Sequence, residues 1–338
     1  MKIALLFVSV IANAMVNVPL VPKDGLSQCR IDFGKPLIGV FVCPAIRIGF
    51  STNDGGASWS PIKFPDANLR MDIGNSVDIV VCSENNLIYH DGVNVWVSQD
   101  MGIGWQKKDV PSQFFIRWST LKTGCLQDSD LLVFLQAAKP IGTQDSSRVR
   151  LLVKRGREEI RSFNLPDATA PRLVVATHAS YALVFGDRLE RFDRMLDLKI
   201  SQVRRSHLVD NVNFREEQHA SLDCSGSHCW LLFDSGYLLK STDNGITWET
   251  ISRPTQIWAT TSFIGIATVA FVTNKHGYLL GADGKMRYST DGGTTWLAIG
   301  KQNVSFVSLT CFGINQCKAL TDDGKLAAIA YGKVDAEP

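Results

Sequence analysis

The sequence predicts an all-β repeat protein, on three observations. A turn motif recurs four times at a near-constant stride, strand-forming residues flank its copies, and few long stretches show helical periodicity. The chain has 338 residues, 45% hydrophobic and 20% charged, which excludes a disordered polymer of low hydrophobicity and high net charge. Lys and Arg total 35 against 33 Asp and Glu, a formal net charge of +2. That balance argues against binding nucleic acid or membrane through whole-protein charge, though local patches stay open.

Residues 1–14, MKIALLFVSVIANA, read as a signal peptide: a lysine, an apolar run from Ile3 to Ala12, then Ala12-Asn13-Ala14 as a small-x-small cleavage site. About 10 apolar residues are too few to cross the ~30 Å hydrocarbon layer as a helix. Cleavage leaves residues 15–338 as a single domain, and no later apolar stretch is long enough to span a bilayer. The expected location is outside the cytoplasm, periplasmic or secreted.

Eight cysteines fit an oxidising compartment. Cys224 and Cys229 flank Ser-Gly-Ser-His, and Cys311 and Cys317 flank Phe-Gly-Ile-Asn-Gln. Paired antiparallel strands joined by such turns bring Cα atoms within disulfide reach. Cys29 and Cys43 are expected to staple a longer hairpin in the same way, and Cys82 and Cys125 are left over as a candidate fourth pair. The spacing does not suit zinc, and no metal or other cofactor is expected.

The repeated motif is Ser/Thr-x-Asp-x-Gly-x-(Ser/Thr/Gly)-Trp. It runs from Thr52 through Asp54 to Trp59, from Ser98 through Asp100 to Trp105, from Ser241 through Asp243 to Trp248, and from Ser289 through Asp291 to Trp296. The Asp accepts main-chain N–H groups just downstream, the Gly takes a backbone angle that a Cβ penalises, and the Trp packs beneath the turn. Each copy is thus an irregular β-hairpin turn.

These turns resemble Asp boxes, also called bacterial neuraminidase repeats. In that family they join the third and fourth strands of β-propeller blades. Sialidases, sortilin-type receptors and the photosystem II assembly-factor propellers of plants and cyanobacteria are members. The resemblance implies a propeller whose box residues are structural. The box aspartates are 46, 143 and 48 residues apart, and the long interval is close to three strides. Degenerate copies are therefore expected near Asp145 and Asp193. Ser308 to Gly332 repeats the start of a unit, so the count is seven blades, with six as the alternative. The last blade has three strands, and a segment at roughly Val16 to Val21 is expected to supply its fourth, closing the ring and removing an exposed edge.

Sialidases of this family bind the substrate carboxylate with arginines, the first in an Arg-Ile-Pro-type motif. The nearest match, Arg47-Ile48-Gly49, lacks the Pro and is expected in a third strand, while Arg117 and Arg172 have no motif around them. The six histidines are scattered singly, and no nucleophile elbow, phosphate loop or metalloprotease helix is present. No catalytic residue is expected.

Between residues 148 and 205 basic residues outnumber acidic ones, with Arg148, Arg150, Arg155 and Arg157 at one end. The two readings are a docking face for an acidic partner and a strand charged for solubility. The closest likeness is to the assembly-factor propellers, in the arrangement from Gly236 to Trp248 and from Gly284 to Trp296. It implies a non-enzymatic scaffold that holds a protein partner. A sialidase-like hydrolase and a glycan-binding lectin are the alternatives.

Overall fold

The computed structural model describes residues 16–17, 29–33, 36–43, 47–65, 78–81, 86–90, 95–108, 122–125, 131–138, 148–155, 161–165, 174–178, 181–185, 189–193, 203–205, 207–208, 220–233, 236–252, 267–299, 304–314 and 316–329. Residues 122–208 are described by their backbone. All regular elements among the described residues are strands, and no helix is long and apolar enough to cross a membrane.

After β1 (Val16–Asn17), the first sheet holds β2 (Arg30–Phe33), β3 (Gly39–Cys43), β4 (Ile48–Thr52) and β5 (Ser60–Pro61). The second holds β6 (Asp78–Val81), β7 (Leu87–His90), β8 (Val95–Ser98) and β9 (Gln106–Lys108). The third holds β10 (Lys122–Cys125), β11 (Leu131–Ala138), β12 (Arg148–Arg155) and β13 (Arg161–Leu165). The fourth holds β14 (Val174–His178), β15 (Tyr181–Phe185), β16 (Leu189–Asp193) and β17 (Val203–Arg205).

In the fifth sheet β18 (His207–Leu208) runs parallel to the outer strand of a meander. That meander is β19 (Ala220–Ser225), β20 (His228–Phe233), β21 (Leu238–Ser241) and β22 (Thr247–Ser252). The sixth holds β23 (Thr268–Phe271), β24 (Gly277–Leu280), β25 (Met286–Ser289) and β26 (Leu297–Ile299). The last contributes β27 (Phe306–Gly313), β28 (Gln316–Thr321) and β29 (Lys325–Ile329). Its fourth place is taken by β1, antiparallel to β29, with Val16 opposite Leu326 and Asn17 opposite Lys325. Neighbours within each meander are antiparallel and consecutive in the chain.

First strands adjoin in order. β2 lies by β6, β6 by β10, β10 by β14, β14 by β19, β19 by β23, β23 by β27, and β27 by β2. The core sits between sheets. Ile31, Phe33 and Phe41 pack with Val307, Leu320 and Leu326 of the last sheet. Trp230, Leu232 and Leu238 of the fifth pack with Val269, Phe271 and Leu279 of the sixth. Covered on both faces, a second strand reads as an unbroken apolar run: Gly39–Cys43 is buried throughout, as is Cys229–Phe233. A fully buried Phe such as Phe41 or Phe233 contributes about 1.5–3 kcal/mol.

Two expectations need correction. In the third sheet the link from third to fourth strand comes after Arg155, the end of β12, whereas Asp145, which lies outside the described residues, precedes β12 in the chain. β11 and β12 are eight residues each, longer than the third strands that carry clear boxes, so the stride slips. Asp193 is the last residue of β16, where clear boxes place their Ser or Thr, two residues short of the box Asp.

Candidate functional site

The four clear boxes share one hydrogen-bond pattern. The leading hydroxyl of Thr52, Ser98, Ser241 or Ser289 donates to the Asp Oδ1 at 2.8, 2.7, 2.8 and 2.9 Å. The same oxygen accepts the N–H of Gly56, Gly102, Gly245 or Gly293 at 2.7–2.8 Å. The Asp Oδ1 also accepts the N–H four residues on, from Ser58, Gly104, Thr247 or Thr295. The two residues after each Asp have positive φ, as in Asn244 (60°) and Gly245 (78°). That double left-handed step is why glycine recurs there.

These bonds hold the carboxylates ionised. The Ser58 hydroxyl, with further bonds from Ser58 N–H and Thr52, brings Asp54 down to about 2. The Gly104 N–H and the Ser98 hydroxyl lower Asp100. Burial works against ionisation of Asp243 and Asp291, but hydroxyl and backbone donors outweigh it and both are lowered. The tryptophans pack on their own sheets: Trp59 edge-on to Phe33 and Phe41, Trp105 to Tyr89, and Trp296 to Phe271. Trp248 is buried, its Nε1 donating to Gly245 O at 3.0 Å.

The residue after the box Asp ties two further parts together. Its N–H bonds the first hairpin turn of its own sheet: Gly55 to Leu37 O, Asn244 to Ser227 O, and Gly292 to Lys275 O. In two boxes its carbonyl accepts from the preceding sheet. Trp230 Nε1 donates to Gly292 O at 2.8 Å, its ring stacked on Phe271 with centroids 3.5 Å apart. Lys318 Nζ donates to Gly55 O and lies 4.2 Å from the Phe33 ring centroid. Trp230 and Lys318 each follow the second cysteine of a Cys pair, so one position of the repeat performs the same task with different chemistry.

Among the described residues three cysteine pairs are joined: Cys29–Cys43, Cys224–Cys229 and Cys311–Cys317, with Cα separations of 4.1, 4.1 and 4.0 Å. The last two bridge beside the hairpin turn. Cys29–Cys43 staples the longer β2–β3 hairpin as expected, at its open end, one step beyond the Arg30–Val42 pair. Cys82 lies outside the described residues, and Cys125 ends β10.

Inner strands are also bonded across sheets. Ser221 Oγ accepts Val269 N–H at 3.1 Å, and Ser308 Oγ accepts Ile31 N–H at 3.1 Å. Two residues after Ser221, Asp223 accepts Phe271 N–H, and between the first two sheets Asp32 accepts Val81 N–H at 3.2 Å. Burial pushes Asp223 up to about 7 and also raises Asp32. These side chains were not singled out in the sequence as site residues. For Ser221, Asp223 and Asp32 the signal is a spacing of 48 or 49 residues between donor and acceptor, the repeat length itself, whereas Ser308 and Ile31 are 277 apart.

Arg148, Arg150 and Arg155 lie in β12, a third strand flanked on both sides, opposite Ala138, Gln136 and Leu131 of β11. Arg157 lies outside the described residues, as do Arg117 and Arg172. Arg47 stands in the turn before β4, with φ 54°, rather than in the strand. Among the described residues no group of three or more His, Cys, Asp or Glu is arranged to hold a metal ion.

Residues 239–250, which cover most of β21, the third box and the first part of β22, match the model of the BNR/Asp-box repeat. That stretch holds one of the four boxes that share the hydrogen-bond pattern above. YCF48 bound to D1 peptide is similar in structure, with a TM-score of 0.60 and 14% identity over 96% of this chain and 97% of that one. YCF48 from Cyanidioschyzon merolae gives 0.59 and 14% over 94% and 98%. The Pan2 WD40 domain of Neurospora crassa gives 0.52 and 10% over 92% of each. At these identities the likeness shows the fold, that of propeller proteins. No curated protein matches the chain.

Proposed function

We propose that the chain is a seven-bladed Asp-box propeller, closed by its N-terminal strand, that holds a protein partner during assembly and performs no chemistry. The fold likeness to YCF48 bound to D1 peptide, over nearly the whole chain, carries this reading. Seven sheets whose first strands adjoin in sequence, with β27 beside β2 and β1 beside β29, support the blade count and the closure. The box aspartates are engaged by their own turns, which leaves them unsuited to acid–base work. Arg47 in a left-handed turn supports the same reading against a sialidase. The segment 1–14 and the three disulfides fit export to a periplasmic or secreted location.

The test is affinity capture from the native host with mass spectrometry, using the wild-type chain and a variant with Arg148, Arg150, Arg155 and Arg157 changed to Glu. A specific partner recovered by the wild type supports the scaffold, and its loss in the variant supports a basic docking face. Unchanged recovery removes that face. Sialoside turnover abolished by changing Arg47, Arg117 or Arg172 overturns the non-enzymatic reading.

A further inference from the structure

The second box departs from the other three at one position. In those, the residue four after the Asp is Ser58, Thr247 or Thr295, and its hydroxyl donates to the Asp Oδ2 at 2.6 Å. The second box has Gly104 there. Its N–H still donates to Asp100 Oδ1 at 2.8 Å, but Asp100 Oδ2 has no donor among the described residues. A Cβ on Gly104 would lie 3.1 Å from that oxygen, so Oδ2 faces the space where the hydroxyl of the other boxes sits.

Asp100 also lines a groove of about 440 Å³ between the first two sheets. Ile38 and Ser60 come from the first sheet, and Gln99, Asp100, Met101 and Ile103 from the second box. Among the described residues Asp100 is the one charged residue of its lining, and Ile103 is 70% exposed beside it. A carboxylate oxygen with open lone pairs calls for a cationic donor, and aliphatic side chains suit a methylene stem. Hydroxyl and amide groups can accept the remaining N–H bonds of a guanidinium, which has five donors. Among the described residues the lining has no aromatic face on which a sugar ring could stack.

We propose that this groove binds an arginine side chain presented by a protein partner, with Asp100 Oδ2 taking the guanidinium and Met101 and Ile103 covering its stem. The inference rests on the scaffold reading only for the origin of the arginine. It assigns a role to the glycine that breaks the repeat: Gly104 leaves vacant a bond that the fold fills elsewhere.

The experiment is an amide-shift titration of the full chain with acetyl-Ser-Arg-Ser-amide, against the same peptide with norleucine for arginine. The expected result is saturable shifts at Gln99, Asp100 and Gly104 with the arginine peptide alone. Gly104→Thr, which supplies the missing hydroxyl, should weaken binding at least about tenfold by occupying Oδ2, with a thermal midpoint at or above the wild type. Gly104→Ser, a smaller change, should act in the same direction. Equal affinity in these variants, equal binding of the norleucine peptide, or shifts at these amides with methyl glycosides but not the arginine peptide overturns the proposal. The titration reads the groove alone, so its failure leaves partner capture by the propeller as a separate result.

Discussion

Lys318 in β28 donates its ammonium to the carbonyl oxygen of Gly55, a box residue 263 positions earlier in the chain. It also donates to Pro36 O at 2.9 Å, so one side chain fastens the last sheet to the first. The fifth and sixth sheets are fastened the same way by Trp230 on Gly292. Replacing Lys318 by Met keeps the stem and removes both bonds. The expected loss is about 1–3 kcal/mol in urea unfolding, because a half-buried charged donor leaves two carbonyls unpaired.

The box turns depend on the leading hydroxyl more than on its neighbours, because that oxygen both donates to the Asp and accepts from the Gly. Ser241→Ala removes the bonds to Asp243 Oδ1 and from Gly245 N, and should cost about 1–3 kcal/mol. Thr242→Ala, next door, should be near neutral in the same measurement.

Two carboxylates predict opposite pH responses. Asp54, held near 2, stabilises the fold above about pH 4, and that contribution is lost as the pH falls from about 4 towards 2. Ser58→Ala should raise its apparent pKa and move acid unfolding to higher pH. Asp223, raised to about 7, favours its protonated form in the folded state. Its contribution is full below about pH 4 and is lost as the pH rises through 7. Asp223→Asn keeps an acceptor for Phe271 N–H. Between pH 5 and 8 the wild type should therefore lose more stability than the variant, by urea midpoints at constant ionic strength.

β1 covers the edge of β29 with two residues, Val16 and Asn17. Starting the chain after Asn17 should leave that edge open, since unpaired strand edges recruit other strands. Sedimentation should then show self-association that a chain starting at Met15 lacks.

Much of the fold was legible because the box is a local device. Asp54, Asp100, Asp243 and Asp291 bond groups within four residues, so each turn writes its whole requirement into a short run of sequence. Where the box is lost, phase is lost too. No clear box follows β12 in the sequence, and a stride counted from Asp100 ends at Asp145, before that strand begins. The parallel strand β18 gave no signal, because two residues carry no period. The inter-sheet bonds of Ser221, Asp223 and Lys318 join positions 48 or 263 apart, where neither propensity nor spacing within one turn can announce a partner. Gly104 was read as a permitted variant of the motif, since its consequence, an open oxygen, exists only in three dimensions.

X-ray diffraction from crystals of the chain starting at Met15 tests the wheel most directly. The prediction is seven sheets about one axis, with Val16 opposite Leu326 and Lys318 on Gly55. Six sheets, or β29 with a bare edge, would contradict it.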